Sequence, residues 1–127
     1  MEQRNFDPLV NDGKTRIIQE IVPGKQITLA HVIANPDGDL YTKLGLDPAG
    51  DYKTSAIGII TMTPAETAII AGDIATKASG AKLGFVDRFS GTLIVTGSVS
   101  QVNEAVAAVC DYAAEVLQFT VCPITKT

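Results

Sequence analysis

The residues that could do chemistry in this chain are few, and their spacing does not form a catalytic set. The only histidine, His31, lies in an alternating apolar segment, which is typical of a packed or hydrogen-bonded structural residue. Cys110 and Cys122 lack the spacing of a metal site, and the valines and alanines around Cys110 predict a buried small hydrophobe. A nucleophile, a base and an orienting acid cannot be assembled around one histidine. The sequence therefore predicts no catalytic residue, no metal ligand and no cofactor.

Residues 13–15, GKT, are similar to the end of a phosphate-binding loop. That motif requires a glycine at the position that Pro8 occupies, and it requires a preceding strand. Residues 1–15 are instead polar and contain turn-forming residues, so we predict a flexible N-terminal arm there and reject the phosphate site.

A short mixed segment, DRFSG, separates two apolar stretches. It places an acid, a base, an aromatic, a serine and a glycine side by side from Asp87 to Gly91. This composition is unsuited to a core and indicates a surface loop between two strands. The adjacent opposite charges of Asp87 and Arg88 predict an ion pair at a subunit interface.

Composition limits the class of protein. The chain has 127 residues, enough for one compact domain, with 46% hydrophobic and 19% charged residues. So little charge indicates that partner subunits cover apolar surface. The net charge of −4 argues against nucleic acid as a partner, because no basic stripe could neutralise phosphates. Apolar runs are shorter than the roughly 20 residues of a membrane helix, and no secretory signal is visible, so a cytoplasmic protein with reduced thiols is expected.

The first half of the chain predicts short strands separated by turns. Residues 16–26 predict an apolar strand followed by a proline–glycine bend. Residues 27–33 alternate and predict a second strand, and residues 40–46 can form a short helix. Residues 56–62 are continuously apolar, as expected of a strand that is covered on both faces.

A helix is predicted directly after the third strand. Thr63 suits its N-cap, Pro64 its first helical position, and Glu66 would close a capping box. The apolar periodicity then continues to about Ser79. The predicted helix therefore begins at Pro64.

The last third of the chain predicts two strands, a helix and a tail. The strands are predicted over residues 81–89 and 92–97, with the mixed loop between them. Ser98 and Gln101 form a capping box, and valines at helical spacing follow it. Residues 119–127 are expected to be extended.

From residue 56 onward the predicted order is strand, helix, strand, strand, helix. A ferredoxin-like unit needs one more strand after that helix, and residues 27–33 are the complete strand left over. A circular permutation would bring it into place. The pattern therefore predicts an α/β fold, a circularly permuted ferredoxin-like domain over residues 27–127 with an antiparallel four-stranded sheet.

The sequence resembles the circularly permuted, single-domain shell proteins of bacterial microcompartments, of the propanediol- and ethanolamine-utilisation type. The resemblance covers residues 16–127. Four segments carry it, IIQEIVPGKQITLAHVIANP (17–36), AIGIITMTPAETAIIAGDIATK (56–77), GFVDRFSGTLIVTGSV (84–99) and QFTVCPITKT (118–127).

The resemblance implies a non-enzymatic homohexamer, a flat or bent disc that tiles with other shell proteins around encapsulated enzymes. In that family the loop between the two central strands lines a pore on the sixfold axis, and the matching positions are Phe89, Ser90 and Gly91. The glycine is expected to allow close approach of six backbones, and Phe89 to narrow the opening.

The resemblance also implies a small barrel that caps the pore. Each subunit would contribute one strand, and closing six strands in a ring would remove their free edges. The residues of this strand are Ile17, Ile18, Gln19, Glu20, Ile21 and Val22. The domain boundaries expected from this are 1–15 for the arm and 16–26 for the barrel strand and bend.

The resemblance also implies which residues lie at the rim of the disc, although only one of two positions matches. Lys77 matches the edge lysine of ordinary shell hexamers, whereas Asn35 stands where those proteins usually have an arginine.

An alternative hypothesis is an oligomeric regulatory module of ferredoxin-like fold that binds a small molecule.

Overall fold

A computed structural model describes residues 24–46 and 55–127 of the chain. The arm predicted over 1–15 and the barrel positions 17–22 lie outside the described residues. The described strands are β1 (Gln26–Ile33), β2 (Ala56–Thr63), β3 (Lys82–Asp87), β4 (Thr92–Gly97), β5 (Thr120–Val121) and β6 (Thr125–Lys126), and the helices are α1 (Gly38–Leu44), α2 (Thr67–Ala78) and α3 (Val99–Glu115).

The strands form one sheet in the order β3-β4-β2-β1-β5, and β6 also pairs with β1. The pairs β1–β2, β2–β4 and β3–β4 are antiparallel, which confirms the predicted four-stranded antiparallel sheet. The two short strands of the tail pair with β1 in parallel, so the complete sheet is mixed and six-stranded. The extended tail was expected from the sequence, but its pairing was not.

The topology confirms the circular permutation. If β1 is placed after α3, the order becomes strand, helix, strand, strand, helix, strand. In the structure β1 lies beside β2, so it completes the sheet that the later elements begin.

The sheet has two ends that differ in content, and we call them the loop end and the far end. The loop end holds the β3–β4 loop, the last residues of β2 and the start of β1, since Thr61 pairs with Thr92 and Thr63 with Gln26. The far end holds the start of β2 and the end of β1, where Ile57 pairs with Ile33.

One face of the sheet carries the main core. Helices α2 and α3 cover it, and Ile60, Leu93 and Val106 are completely buried there. Helix α3 lies close to β2, because a side chain at Gly58 would come within 2.9 Å of Val102. The opposite face carries a smaller cluster around Tyr41.

Helix α2 begins later than predicted, so the expected N-cap at Thr63 is wrong. Thr63 is still part of β2, where it pairs with Gln26 and is therefore extended. Pro64 belongs to a turn, with its carbonyl accepting from the amide of Thr67 at 3.0 Å. Glu66 occupies the N-cap position itself and its side chain makes no capping hydrogen bond. Sheet pairing at Thr63 thus prevails over the local capping pattern.

The other helix starts follow their caps. Ser98 accepts from the amide of Gln101 at 3.1 Å and the Gln101 side chain accepts from the amide of Ser98 at 3.0 Å, which confirms the predicted capping box. Helix α1 starts at Gly38, earlier than predicted, because the Asp37 carboxylate accepts from the amide of Asp39.

Candidate functional site

The β3–β4 loop is held in one shape by the side chain of Asp87. Its carboxylate accepts a hydrogen bond from the amide of Phe89 at 2.9 Å and another from the hydroxyl of Ser90 at 2.8 Å. The amide of Gly91 donates to the carbonyl of Asp87 at 2.9 Å. These bonds close the turn at once, so β3 ends at Asp87 rather than at residue 89 as predicted.

The electrostatics of Asp87 follow from these contacts. The Phe89 amide, and after it the Ser90 hydroxyl, stabilise the ionised carboxylate and lower its pKa below the usual value. The sequence reasoning assigned Asp87 to an ion pair with Arg88 and missed this role in the turn. An aspartate two residues before the loop tip was the signal, since such side chains commonly bond the backbone two residues ahead. The ion pair between subunits stays a prediction.

Phe89 projects from the tip of the loop. It is 81% exposed, the most exposed of the large apolar side chains in the described residues. The guanidinium of Arg88 lies 5.0 Å from the centre of its ring, in a cation–π contact. The loop therefore presents an aromatic ring and a positive charge together.

Ser90 and Gly91 both have close contacts within their own chain. The Ser90 hydroxyl donates to Asp87 and lies 3.0 Å from the hydroxyl of Thr92, so its proton is used within the loop. Gly91 has a φ of +78°, and a side chain there would collide with the carbonyl oxygen of Met62. Its own carbonyl accepts from the amide of Met62 at 2.9 Å. Contact with β2 of the same chain is therefore sufficient reason for the glycine.

The chain that precedes Gly24 joins the described part at the loop end. Gln26, the first residue of β1, pairs with Thr63 of β2 and with Thr120 of β5. The positions 17–22 are thus separated by a few residues from the end of the sheet that bears Phe89.

The two residues expected at the rim lie at the far end. Helix α2 runs from the loop end toward the start of β3, which puts Lys77 near the far end. Its ammonium lies 2.9 Å from the Asp73 carboxylate, and both side chains are exposed. Asn35 follows β1 in an exposed bend at the same end. Both predicted rim residues therefore lie opposite the Phe89 loop.

The single histidine has a structural position, as predicted. Its ring nitrogens lie 2.6 Å from the hydroxyl of Thr125 and 2.9 Å from that of Thr127. His31 thus joins β1 to the tail.

The thiol of Cys110 is unreactive in this fold. It is buried, and burial, with a smaller effect from Cys122, raises its pKa to about 11. Such a thiol stays protonated at neutral pH. Nowhere in residues 24–46 and 55–127 do three or more His, Cys, Asp or Glu side chains form a group that could hold a metal ion. No helix of these residues is long and apolar enough to span a membrane.

Comparison with known proteins assigns the family. The BMC domain profile matches residues 56–125. The chain is 55% identical to the bacterial microcompartment shell protein PduU of Salmonella typhimurium over 88% of this chain and 93% of the relative. It is 52% identical to the shell protein EutS of Escherichia coli over 90% of this chain and 98% of the relative.

A solved structure supports the same family assignment. A CutR flat hexamer is 47% identical, with a TM-score of 0.75 over 89% of this chain and 100% of the other. The resemblance found in the sequence and the fold in the structure thus agree, and this chain belongs to the BMC-domain family of bacterial microcompartment shell proteins.

Proposed function

We propose that this chain assembles as a homohexamer that tiles into the shell of a bacterial microcompartment, without catalysing a reaction. The observation that carries the proposal is the likeness to a CutR flat hexamer across nearly the whole chain. The exposed apolar side chains of the single chain agree with it, since stable oligomers cover such surface.

The sixfold axis of the proposed hexamer is proposed to lie at the loop end of the sheet. Phe89, Ser90 and Gly91 would meet their five copies there, with the fixed turn of Asp87 holding each Phe89 ring at the tip. The strand of residues 17–22 would close a barrel above them. Its support is that the chain before Gly24 joins at this same end of the sheet. The pore is therefore proposed to be capped or narrow.

The rim of the disc is assigned to the far end. Lys77 and Asn35 lie there, opposite the proposed axis, as lateral contacts between hexamers would require. The partners proposed at this rim are neighbouring hexamers of this chain and other shell proteins. Encapsulated enzymes are a further proposed class of partner, on the faces of the disc.

The regulatory-module alternative is not favoured, because the relatives at 55% and 52% identity are shell proteins. A ligand-binding module would gain stability when its ligand is added, whereas a shell protein gains it from assembly. Thermal unfolding with and without pools of small metabolites separates the two.

The direct test is native mass spectrometry of the full chain at micromolar concentration, followed by electron microscopy of the concentrated protein. Hexamers, and sheets or tubes formed from them, are expected. Monomers or dimers alone would reject the proposal. A cryo-electron microscopy map of the hexamer then tests the axis: residues 17–22 extended along the subunit's own sheet would reject the barrel.

A further inference from the structure

An apolar groove of about 200 Å³ lies between helices α2 and α3, at the loop end of the sheet. We call it the α2–α3 groove. Its main lining residues are Ile27 of β1, Met62 of β2, Ile70 and Ile74 of α2, Ala113 of α3 and Leu117 just after α3. Ile27 pairs with Met62, which fixes the position of the groove at the loop end.

The groove is open to solvent in the part of the chain that the structure describes. Ile70 is 46% exposed, and Ile74 and Leu117 are only partly buried. The depression arises because Ala71 and Ala113, which are buried, carry small side chains where the two helices meet. The groove therefore offers a water-exposed apolar surface with room for about one large side chain.

The small size of the groove indicates what kind of segment can occupy it. A stable interface between separate proteins buries at least about 1,000 Å² of surface, far more than this groove provides. A segment tethered nearby needs much less contact, because a short flexible tether gives an effective concentration in the millimolar range. The size thus favours a segment of this same chain.

The N-terminal part of the chain joins the sheet beside the groove. Ile27, which lines the groove, follows Gly24 by three residues. Residues 5–10, NFDPLV, contain Phe6, Leu9 and Val10 within an otherwise polar arm. These three side chains lie outside the barrel strand proposed at 17–22, so their apolar character has another cause.

The length of the arm is sufficient to reach the groove. If residues 17–22 rise into the proposed barrel, they lead away from the sheet by about 20 Å at about 3.3 Å per residue. The six residues 11–16 can span an equal distance back. Residues 5–10 can therefore return to the level of the sheet.

We infer that residues 5–10 dock in the α2–α3 groove of their own chain, with the Phe6 ring as the side chain that fills it. Phe6 is the largest apolar side chain of the arm, and its burial would also cover Ile70. Docking would tie down an arm that its polar composition alone leaves flexible. The inference goes beyond the proposed hexamer and does not require it, since the contact lies within one chain.

The direct test is photo-crosslinking of the full chain with benzoylphenylalanine in place of Phe6. After irradiation, mass spectrometry of peptides identifies the crosslinked site, and a denaturing gel separates crosslinks within a chain from those between chains. Crosslinks within one chain to residues 67–74 or 109–117 are expected. Crosslinks between chains, crosslinks only to other surfaces, or no crosslinks would each overturn the inference. A chain that crosslinks as expected but is not hexameric would reject the proposed function alone.

Two neighbouring isoleucines of α2 provide a matched pair of variants for the same measurement. Ile70→Glu places a charge in the groove, where an apolar segment would leave it without water or a partner, so the crosslinking yield should fall by at least about threefold. Ile69 is 54% exposed but does not line the groove, so Ile69→Glu should leave the yield unchanged. Circular dichroism checks folding, and Ile70→Ala replaces Ile70→Glu if the latter does not fold. Equal yields in the variants at both positions would refute docking in the groove.

Discussion

The two edges of the main antiparallel sheet, β1 and β3, differ in whether the chain itself covers them. At the β1 edge the chain covers itself: β5 and β6 pair with β1, and His31 bonds two threonines of the tail. At the β3 edge the described residues add no strand, and three large apolar side chains stay half exposed. One edge is thus closed within the chain, whereas the described residues leave the other uncovered.

Deleting residues 120–127 should have the largest effect, because it uncovers the side of β1 that the tail strands pair with. Apart from bonds within the paired strands, the tail makes four backbone hydrogen bonds with the chain between Lys25 and Ala34. At about 1 kcal/mol each, their loss should lower the free energy of unfolding by about 4 kcal/mol. The truncated protein should also aggregate. Urea unfolding and light scattering measure the two effects, and a truncated protein as stable and soluble as wild type would contradict the closed-edge interpretation.

Replacing His31 by alanine should loosen the closed edge without opening it. Two side-chain hydrogen bonds to the tail are lost, but the freed threonine hydroxyls are exposed and can bond water. A loss of about 1–2 kcal/mol is expected. Hydrogen exchange should accelerate at the amides of Cys122 and Thr127.

Thr28→Val is the matched control for His31→Ala. Thr28 lies on the same strand but bonds Thr61 of β2, with 2.6 Å between the hydroxyl oxygens. Loss of the Thr28 hydroxyl should leave amide hydrogen exchange in the tail unchanged. Equal acceleration in both variants would mean that His31 has no specific role at this edge.

Acid should loosen the loop that ends the open edge. Bonding to Phe89 and Ser90 lowers the pKa of Asp87 in the folded chain, so its contribution to stability is complete above the ordinary value of 3.8. That contribution is lost as the pH falls through the lowered pKa. The amide resonance of Phe89 should therefore shift with a midpoint below 3.8. Asp87→Asn should abolish the shift, and an unchanged titration in that variant would refute the assignment.

Lys77→Ala should have the smallest effect on the chain itself. Its ion pair with Asp73 is exposed, and such pairs contribute between about 0 and 1 kcal/mol. Hexamers should persist, because Lys77 lies near the far end of the sheet, opposite the proposed axis. Lateral sheets should be impaired. Electron microscopy showing normal sheets would remove Lys77 from the rim.

Much of the fold was determined by the sequence, because its signals are local. Continuous apolar residues identified β2, valines at helical spacing identified α3, and Ser98 with Gln101 set the start of α3. The leftover strand β1 then indicated the permutation. The DRFSG segment was correctly assigned to a loop between β3 and β4, although its internal bonds were not foreseen.

Features that depend on pairing between distant residues could be read only from the tertiary structure. It extended β2 through Thr63 by pairing with Gln26, which moved the start of α2. It gave Gly91 its constraint, a contact with Met62 nearly thirty residues away. It also joined the tail to β1, and within residues 24–46 and 55–127 it left the outer side of β3 without a paired strand. Local composition does not specify which strands pair, because a strand's neighbours are fixed by the packing of the whole sheet.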